Sequence, residues 1–282
     1  MFDLKKKAVR YRRKKNVGII TLNRPERLNA INQDLLEDLI TQLNVAREDE
    51  NVVSVVLTGA GRSFCAGEDL KETKSGKSLA RWKKEIDALQ ETQRIILNLG
   101  KPLIAAVRGY AVGGGLEFAL SCDIRIAAQD AKFGFPETGV GLTITSAGTK
   151  LISQLVGLGK AKELVFTGEI IDAQEALRIG LVNQVVSNTQ LLDAALKMCE
   201  RIGQNSPLSL RLSRIALDQG LHSSFEQILE LEAEHLLVCI ASGNQQRFVA
   251  DKLAEMKKKS HLQKEDRTPD HRIQENLQGN DS

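Results

Sequence analysis

The sequence is poor in aromatic residues and cysteine, and it has no long apolar run. Only 4% of the 282 residues are aromatic, with one Trp and two Tyr, which argues against a platform for stacking bases or sugars. The four cysteines show no Cys-x-x-Cys or other paired spacing, as is usual in a reducing compartment. No apolar run reaches the roughly 18 residues that a membrane-spanning helix needs, so no membrane partner is expected.

The N-terminus has no apolar signal segment and is strongly basic instead. Residues 1–15 carry eight basic side chains against Asp3, a net charge of +7, although the whole chain carries only +3. A basic segment can attract nucleic acid or an anionic surface, but basic side chains also protect an edge strand from aggregation. We favour the edge-strand interpretation, and we expect a cytoplasmic protein.

The first half of the chain alternates predicted strands and helices. Runs of aliphatic and β-branched residues predict strands at 17–22, 51–58, 103–107 and 123–127. Helical spacing of leucines predicts a helix that begins near Asn32, and a second helix is predicted over 79–99. The polar residues 71–78 predict a loop. This alternation predicts an α/β core with parallel strands.

Helical periodicity dominates the last part of the chain. One strand is predicted at 181–186, and helices are predicted at 190–203, 207–219, 223–240 and 244–258. Amphipathic helices that only partly cover one another indicate oligomerisation. The polar residues after Lys259 predict a disordered tail. The predicted organisation is therefore a core over 1–200, a helical oligomerisation region over 201–258 and a tail over 259–282.

Three consecutive glycines stand between a predicted strand and a predicted helix, in Gly109-Tyr-Ala-Val-Gly-Gly-Gly-Leu-Glu117. Glycines at the start of a helix let the backbone approach a ligand and leave N–H groups available to it. Such donors suit an anion or a developing oxyanion. Alone, the run is also compatible with a tight crossover turn, and it lacks the lysine and spacing of a phosphate-binding loop.

A second small-residue turn, Ser63–Leu70, also follows a predicted strand. Ligands of open α/β sheets gather at the carboxyl ends of the strands, so we expect the two turns to be neighbours whose N–H groups bind one carbonyl oxygen. Glu117 lies in the helix after the glycines, and Glu137 lies in a third turn. Two carboxylates beside a bound carbonyl indicate acid/base chemistry next to that carbonyl.

Five segments together resemble the crotonase family, also called the enoyl-CoA hydratase/isomerase family. They are Asn-Arg-Pro-Glu-Arg-Leu-Asn-Ala at 23–30, Ser-Phe-Cys-Ala-Gly-Glu-Asp-Leu at 63–70, Gly-Tyr-Ala-Val-Gly-Gly-Gly-Leu-Glu at 109–117, Ser-Cys-Asp-Ile-Arg-Ile-Ala at 121–127 and Ala-Lys-Phe-Gly-Phe-Pro-Glu at 131–137. The resemblance runs from about residue 8 to 258. It implies a crotonase-like α/β spiral of repeated ββα units with a helical C-terminal trimerisation region. It also implies a homotrimer or a dimer of trimers.

Carried over to this sequence, the resemblance implies an oxyanion hole made by the backbone N–H groups of Glu68 and Gly114. These groups would polarise the thioester carbonyl of an acyl-CoA. The resemblance also implies two catalytic residues: Glu117 would activate water for attack at the β-carbon, and Glu137 would exchange the proton at the α-carbon. Isomerases of the family usually retain a single catalytic carboxylate, so both glutamates together predict an enoyl-CoA hydratase, which adds water reversibly and syn to a 2-trans-enoyl-CoA.

The same resemblance predicts contacts to the coenzyme A part of the substrate. They come from Arg27, Leu28, Ala66, Asp69, Leu70 and Lys71. Coenzyme A belongs to the substrate, so we expect no separate cofactor. None of the four histidines lies in a motif and no metal-ligand spacing occurs, so we expect no metal.

The segment after Glu137 departs from the family pattern. Ile144 and Thr145 stand where many hydratases have Pro and Gly, which bears on the shape of the acyl pocket. Threonine at this position argues against the aspartate nucleophile of dehalogenase-like members. Two alternatives remain: a 3,2-enoyl-CoA isomerase or another crotonase-type activity on a specialised acyl-CoA, and, from the basic N-terminus, an RNA-binding member of the family.

Overall fold

Nine strands form two sheets in residues 7–74 and 76–265, which this computed structural model describes. They are β1 (Val9–Lys14), β2 (Val17–Leu22), β3 (Ser54–Gly59), β4 (Leu103–Val107), β5 (Tyr110–Val112), β6 (Ile124–Ala128), β7 (Lys132–Gly134), β8 (Ile171–Asp172) and β9 (Gln184–Val186). The large sheet has the order β1-β2-β3-β4-β6-β9, and the small sheet has the order β5-β7-β8. In the large sheet only β1 is antiparallel to its neighbour, which confirms the predicted parallel core.

Eleven helices accompany these sheets in the described part of the chain, with 3₁₀ turns at Pro25–Arg27 and Pro136–Val140. They are α1 (Gln33–Glu48), α2 (Leu70–Lys74), α3 (Leu79–Leu97), α4 (Gly114–Ser121), α5 (Gly148–Val156), α6 (Leu158–Thr167), α7 (Ala173–Arg178), α8 (Leu191–Ile202), α9 (Pro207–Gly220), α10 (Phe225–Ala241) and α11 (Asn244–Glu265). None of the helices in this part is long and apolar enough to span a membrane.

The predicted long elements form close to their predicted bounds. Asn32 caps α1 as expected, because its side chain accepts a hydrogen bond from the N–H of Leu35 (3.1 Å). The predicted loop over 71–78 is partly wrong, because α2 occupies its first residues. The carboxylate of Asp69 starts that helix by accepting the N–H of Lys71 (3.3 Å). Strands β5, β7 and β8 were not predicted, because two or three residues carry no measurable periodicity.

Strand β1 lies at an edge of the large sheet, as the edge-strand interpretation of the basic N-terminal segment expects. Arg10, Arg12 and Lys14 alternate along it and are exposed. The strand is held at its start by the carboxylate of Asp38, which accepts the N–H of Ala8 (2.7 Å). Affinity of this basic strand for RNA stays a prediction.

Two apolar layers cover the faces of the large sheet. On one face, Ile20 and Leu57 pack with Leu35 of α1. On the other face, Ile19 and Val56 pack in a second buried cluster with residues of α8. Strands buried on both faces are nearly continuous apolar runs, which is why these segments were readily predicted. The rigid sheet fixes the turns at the carboxyl ends of its strands.

The described residues divide into two compact units between Arg214 and Ile215. This division falls inside α9, and the predicted boundary at residue 200 falls in α8, so the predicted domain organisation stays a prediction. In the second unit, Ser224 begins α10 with a capping box. Helix α11 continues to Glu265 and so includes the first residues of the predicted tail. Residues 266–282 lie outside the described residues, and their disorder stays a prediction.

Candidate active site

Two turns meet beyond the carboxyl ends of β3 and β4. The N–H of Cys65 donates to the carbonyl of Tyr110 (2.8 Å), and the N–H of Val112 donates to the carbonyl of Cys65 (3.2 Å). Gly115 completes this contact, because a Cβ atom at this position would lie 2.2 Å from the carbonyl oxygen of Cys65. No side chain fits at that distance, so backbone packing requires glycine here. The prediction that the two turns are neighbours is confirmed.

The N–H groups of Glu68 and Gly114 are available at this junction. Ile31 donates its N–H to the carbonyl of Gly67 (2.7 Å), and its carbonyl accepts the N–H of Asp69 (3.1 Å). This bridge uses the residues on either side of Glu68, so the N–H of Glu68 points away from Ile31. Gly114 is the first residue of α4, where an N–H has no partner within the helix. Among the described residues, neither N–H donates to a protein acceptor.

The residues that precede these two donors are in contact. Gly67 has a φ of +77°, and a Cβ atom there would lie 2.7 Å from the carbonyl oxygen of Val112 and 3.6 Å from Cα of Gly113. Glycine is required because both the backbone conformation and the space exclude a side chain. The two turns therefore bring Glu68 and Gly114 to the same place, as one oxyanion hole needs.

Glu117 is buried in the apolar helix α4 and is held by Thr145. Only 1% of Glu117 is exposed. The N–H of Thr145 donates to its Oε1 (2.6 Å), and Oγ1 of Thr145 donates to its Oε2 (3.0 Å). Burial raises the pKa of Glu117, and the hydrogen bonds from Thr145 act against that rise by stabilising the ionised carboxylate.

Glu137 lies half-buried in the 3₁₀ turn after β7, and its environment differs from that of Glu117. Its Oε2 is buried and has no hydrogen-bond partner among the described residues. Burial raises the pKa of Glu137 to about 7, and the negative charge of Glu117 contributes to the rise. An unpartnered carboxyl oxygen beside another carboxylate favours the protonated form.

The two carboxyl groups flank one pair of glycines. A Cβ atom at Gly113 would lie 2.7 Å from Oε1 of Glu137, and one at Gly114 would lie 3.9 Å from Oε2 of Glu117. Gly114 also carries one of the two available N–H groups. The structure therefore brings all four predicted catalytic and oxyanion residues together. Such a site can bind a carbonyl oxygen and move protons on the carbon atoms next to it.

The residues predicted to contact coenzyme A lie on two joined segments. The N–H of Ala66 donates to the carbonyl of Leu28 (3.0 Å), which ties the first turn to the second. The remaining side chains at this junction are exposed, namely those of Arg27, Leu70 and Lys71. Leu70 and Lys71 lie two and three positions after Glu68, whose N–H is available.

Asp69 differs from the other predicted coenzyme A contacts. It is only 5% exposed, and its Oδ2 lies 3.2 Å from Nη2 of Arg24 in an ion pair. Its Oδ1 accepts the N–H of Lys71 at the start of α2. The structure therefore gives this carboxylate a packing role: it joins the first turn to the second.

Three residues of the site were missed by sequence reasoning: Arg24, Lys77 and the hydrogen-bonding role of Thr145. Arg24 stands in a recognised segment, but nothing in that segment indicates its partner. Lys77 lies in a polar stretch whose composition is typical of a solvated loop, although its side chain is fully buried. In each case the role depends on a contact with a residue elsewhere in the sequence, and the local sequence does not predict that contact.

Cys65 lies close to the site but is not suited to nucleophilic chemistry. Burial raises the pKa of its thiol to about 12, so the thiolate is not populated at neutral pH. Over the residues that the structure describes, no group of three or more His, Cys, Asp or Glu side chains is placed to hold a metal ion.

The enoyl-CoA hydratase/isomerase family profile matches residues 12–263. The chain belongs to this family. It is 43% identical over 230 residues to the short-chain-enoyl-CoA hydratase of Clostridium acetobutylicum, over 81% of this chain and 88% of that protein. It is 38% identical over 235 residues to the crotonyl-CoA hydratase of Syntrophomonas wolfei, over 83% of this chain and 90% of that protein.

The crystal structure of enoyl-CoA hydratase from Bacillus anthracis matches with a TM-score of 0.83 and 35% identity. The match covers 89% of this chain and 96% of that one. The family and the fold class predicted from five short segments are therefore confirmed. Four of the five segments contribute residues to the site, and the segment 121–127 forms the end of α4 and most of β6.

Proposed function

We propose that this chain is an enoyl-CoA hydratase that adds water reversibly and syn to a 2-trans-enoyl-CoA. One observation carries the proposal: two available backbone N–H groups, the buried carboxyl group of Glu117 and the half-buried carboxyl group of Glu137 meet at Gly113 and Gly114. The hydratases among the similar proteins support the same activity.

The first task of the site is to polarise the thioester. The N–H groups of Glu68 and Gly114 donate to the thioester oxygen, and the positive end of α4 points to the same place. This draws electron density from the conjugated double bond, and the β-carbon becomes electrophilic. When water adds, the negative charge collects on the thioester oxygen as an enolate, where the two donors stabilise it.

The second task is to move two protons. Thr145 favours the ionised form of Glu117, whereas the unpartnered oxygen of Glu137 favours its protonated form. Glu117 takes a proton from the attacking water as the new C–O bond forms at the β-carbon. Glu137 then gives its proton to the α-carbon of the enolate. Both groups lie beside one pair of glycines, which supports addition to a single face of the substrate.

The preferred substrate is a short-chain enoyl-CoA such as crotonyl-CoA. The names of two relatives, a short-chain-enoyl-CoA hydratase and a crotonyl-CoA hydratase, support this choice. The coenzyme A part of the substrate binds at the surface around Leu28 and Ala66. The reaction needs no separate cofactor. A cytoplasmic location remains part of the proposal.

The chain assembles as a homotrimer or as a dimer of trimers. Helix α10 supports this part of the proposal, since it exposes Phe225, Leu229, Leu236 and Leu237. Light scattering on the full chain tests it: a mass of three or six times 31.0 kDa is expected, and a monomer would contradict it.

Product analysis separates hydration from double-bond migration. Crotonyl-CoA incubated in ¹⁸O-labelled water is expected to give 3-hydroxybutyryl-CoA with the label at the β-carbon. A 3-enoyl-CoA tested alone checks the isomerase alternative. Fast conversion of the 3-enoyl-CoA to the 2-enoyl-CoA, with no labelled hydroxyacyl product from crotonyl-CoA, would replace the proposed hydratase by an isomerase.

A further inference from the structure

A buried lysine lies next to the oxyanion hole. The side chain of Lys77 is 0% exposed. Its ammonium group bonds to Oε1 of Glu68 and to Oε2 of Glu85 (2.6 Å), and it lies 4.7 Å from the centre of the Trp82 ring. A buried ammonium group is tolerated only when it is paired in this way.

One of the two bonds of Lys77 reaches a residue of the oxyanion hole. Oε1 of Glu68 also accepts the hydroxyl of Thr73 (3.0 Å), so two segments hold this carboxylate directly, and Glu85 acts on it only through Lys77. Thr73 comes from α2, Lys77 from the segment between α2 and α3, and Glu85 from α3. The side chain of Glu68 is therefore fixed from two segments, while its own N–H is the candidate oxyanion donor.

Arg81 adds a second cation to this cluster. Its Nε lies 3.5 Å from Oε1 of Glu85, and its Nη2 lies 2.7 Å from Oε2 of Glu72. Burial alone would lower the pKa of Lys77, but the hydrogen bonds and charges of Glu68 and Glu85 outweigh it and raise that pKa. The ammonium form is therefore maintained at the pH of catalysis.

We propose that Lys77 is a positioning residue that fixes the oxyanion N–H of Glu68 by tying its side chain to Glu85 on α3. The proposal rests on the proposed function, because it concerns the same oxyanion hole. The physical reason is geometric: a donor stabilises the enolate only when it lies about 2.7–3.1 Å from the oxygen. A displacement of about 1 Å can cost a hundredfold in rate.

The decisive variant is Lys77→Met, which keeps a long side chain but removes the charge. For crotonyl-CoA, kcat is expected to fall about tenfold to a hundredfold, while the Kd of free coenzyme A changes less than about twofold. Lys77→Arg keeps a cation and is expected to recover part of the loss. Lys83→Met is the matched control, because Lys83 is an exposed lysine of α3 paired with Asp87 (Nζ to Oδ2, 2.6 Å), and it should leave kcat unchanged.

A spectroscopic readout separates positioning from a general effect on folding. The absorbance of 4-(dimethylamino)cinnamoyl-CoA shifts to longer wavelength when its carbonyl oxygen is polarised. The wild-type protein should produce this shift, Lys77→Met should lose most of it, and Glu117→Gln should retain it because its oxyanion hole is intact. Thermal unfolding checks that each variant is folded, and the double variant Lys77→Met/Glu85→Gln replaces Lys77→Met if the unpaired carboxylate of Glu85 prevents folding.

A folded Lys77→Met protein, or the folded double variant, with wild-type kcat and an undiminished shift would overturn the proposal. An equal loss of kcat in Lys83→Met would overturn it as well, because the effect would then not depend on the bond to Glu68. Failure of the proposed function is distinguishable, since a wild-type protein without the shift has no working oxyanion hole. A wild-type shift without hydration would leave the role of Lys77 intact and contradict only the assigned reaction.

Discussion

Thr145 donates to both oxygens of Glu117, through its N–H to Oε1 (2.6 Å) and through Oγ1 to Oε2 (3.0 Å). A glycine at this position, as in many hydratases of the family, offers only the N–H. The hydroxyl is therefore an addition that holds the carboxylate in one orientation. It also favours the ionised form that takes a proton from water.

Replacing Thr145 by Val removes the hydroxyl and keeps the N–H. The pKa of Glu117 should rise, so the acidic limb of the kcat profile for hydration moves to higher pH, and kcat at neutral pH falls about threefold to tenfold. Steady-state rates from pH 5 to 9 measure this. Thr145→Ser keeps the hydroxyl and should follow the wild-type profile. Identical profiles for Val and wild type would show that the hydroxyl has no influence on Glu117.

The pH profile should also report the proton on Glu137. The pKa of this group is raised to about 7, so the carboxyl pair loses its shared proton above about pH 7. The value of kcat/KM for hydration should fall over this range. Dehydration of 3-hydroxybutyryl-CoA should fall in parallel, because the singly protonated pair serves both directions. A rate that stays constant from pH 6 to 9 would contradict the assignment of the acid.

The raised pKa of Glu137 should also make the free energy of unfolding depend on pH. The folded protein holds the Glu137 proton more tightly than the unfolded chain does, because the pKa of this carboxyl group is about 7 in the folded state and 4.5 in the unfolded chain. The resulting stabilisation is full below about pH 4.5 and is lost as the pH rises through about 7. Relative to wild type, Glu137→Gln should therefore gain free energy of unfolding between pH 5 and pH 8. Urea unfolding at pH 5 and at pH 8 measures this difference. If Glu137→Gln instead loses free energy of unfolding relative to wild type between these pH values, the pKa of Glu137 is lowered in the folded protein, not raised.

Gly115 should tolerate no side chain. A Cβ atom would lie 2.2 Å from the backbone oxygen of Cys65, and neither backbone can move without separating the two turns. Gly115→Ala should lower the free energy of unfolding by about 1–3 kcal/mol and reduce hydration as well. Gly159→Ala in α6 is the control: nothing lies within 4 Å of its Cβ position, so stability should be unchanged or slightly higher. Equal stability of the two variants would be inconsistent with the described packing.

The ion pair of Arg24 and Asp69 should matter for stability more than for chemistry. Both side chains are largely buried, so removing one partner leaves the other charge unpaired. Arg24→Met and Asp69→Asn should each lower the free energy of unfolding by about 3–5 kcal/mol. The double variant should lower it by clearly less than the sum of the two single effects. Denaturant unfolding of the four proteins measures the coupling. Strictly additive costs would mean that the two side chains do not act as a pair.

Much of this site could be predicted because its chemistry is encoded locally. The run Gly113-Gly-Gly115 and the positions of Glu117 and Glu137 follow turns that the strand pattern already placed at one end of the sheet. The family resemblance then assigned roles to these residues, and the structure brings them to one pair of glycines.

The rest depends on contacts between distant segments. Lys77 lies in a stretch as polar as any solvated loop, and only the placement of α3 buries its side chain against Glu68. Thr145 is separated from Glu117 by 28 residues, so no periodicity connects them. The strands of the small sheet are too short to leave a pattern, and the boundary at Arg214 falls inside the continuous helix α9.

The most direct test of the central claim is the loss of enoyl-thioester absorbance when the purified protein meets crotonyl-CoA. With the wild-type protein the absorbance should fall rapidly as crotonyl-CoA is hydrated. Glu117→Gln and Glu137→Gln should each lower kcat by at least about a hundredfold without loss of coenzyme A binding. Wild-type rates in either folded variant would contradict the paired-carboxylate mechanism. An inactive wild-type protein that still binds acyl-CoA thioesters would contradict the hydratase assignment itself.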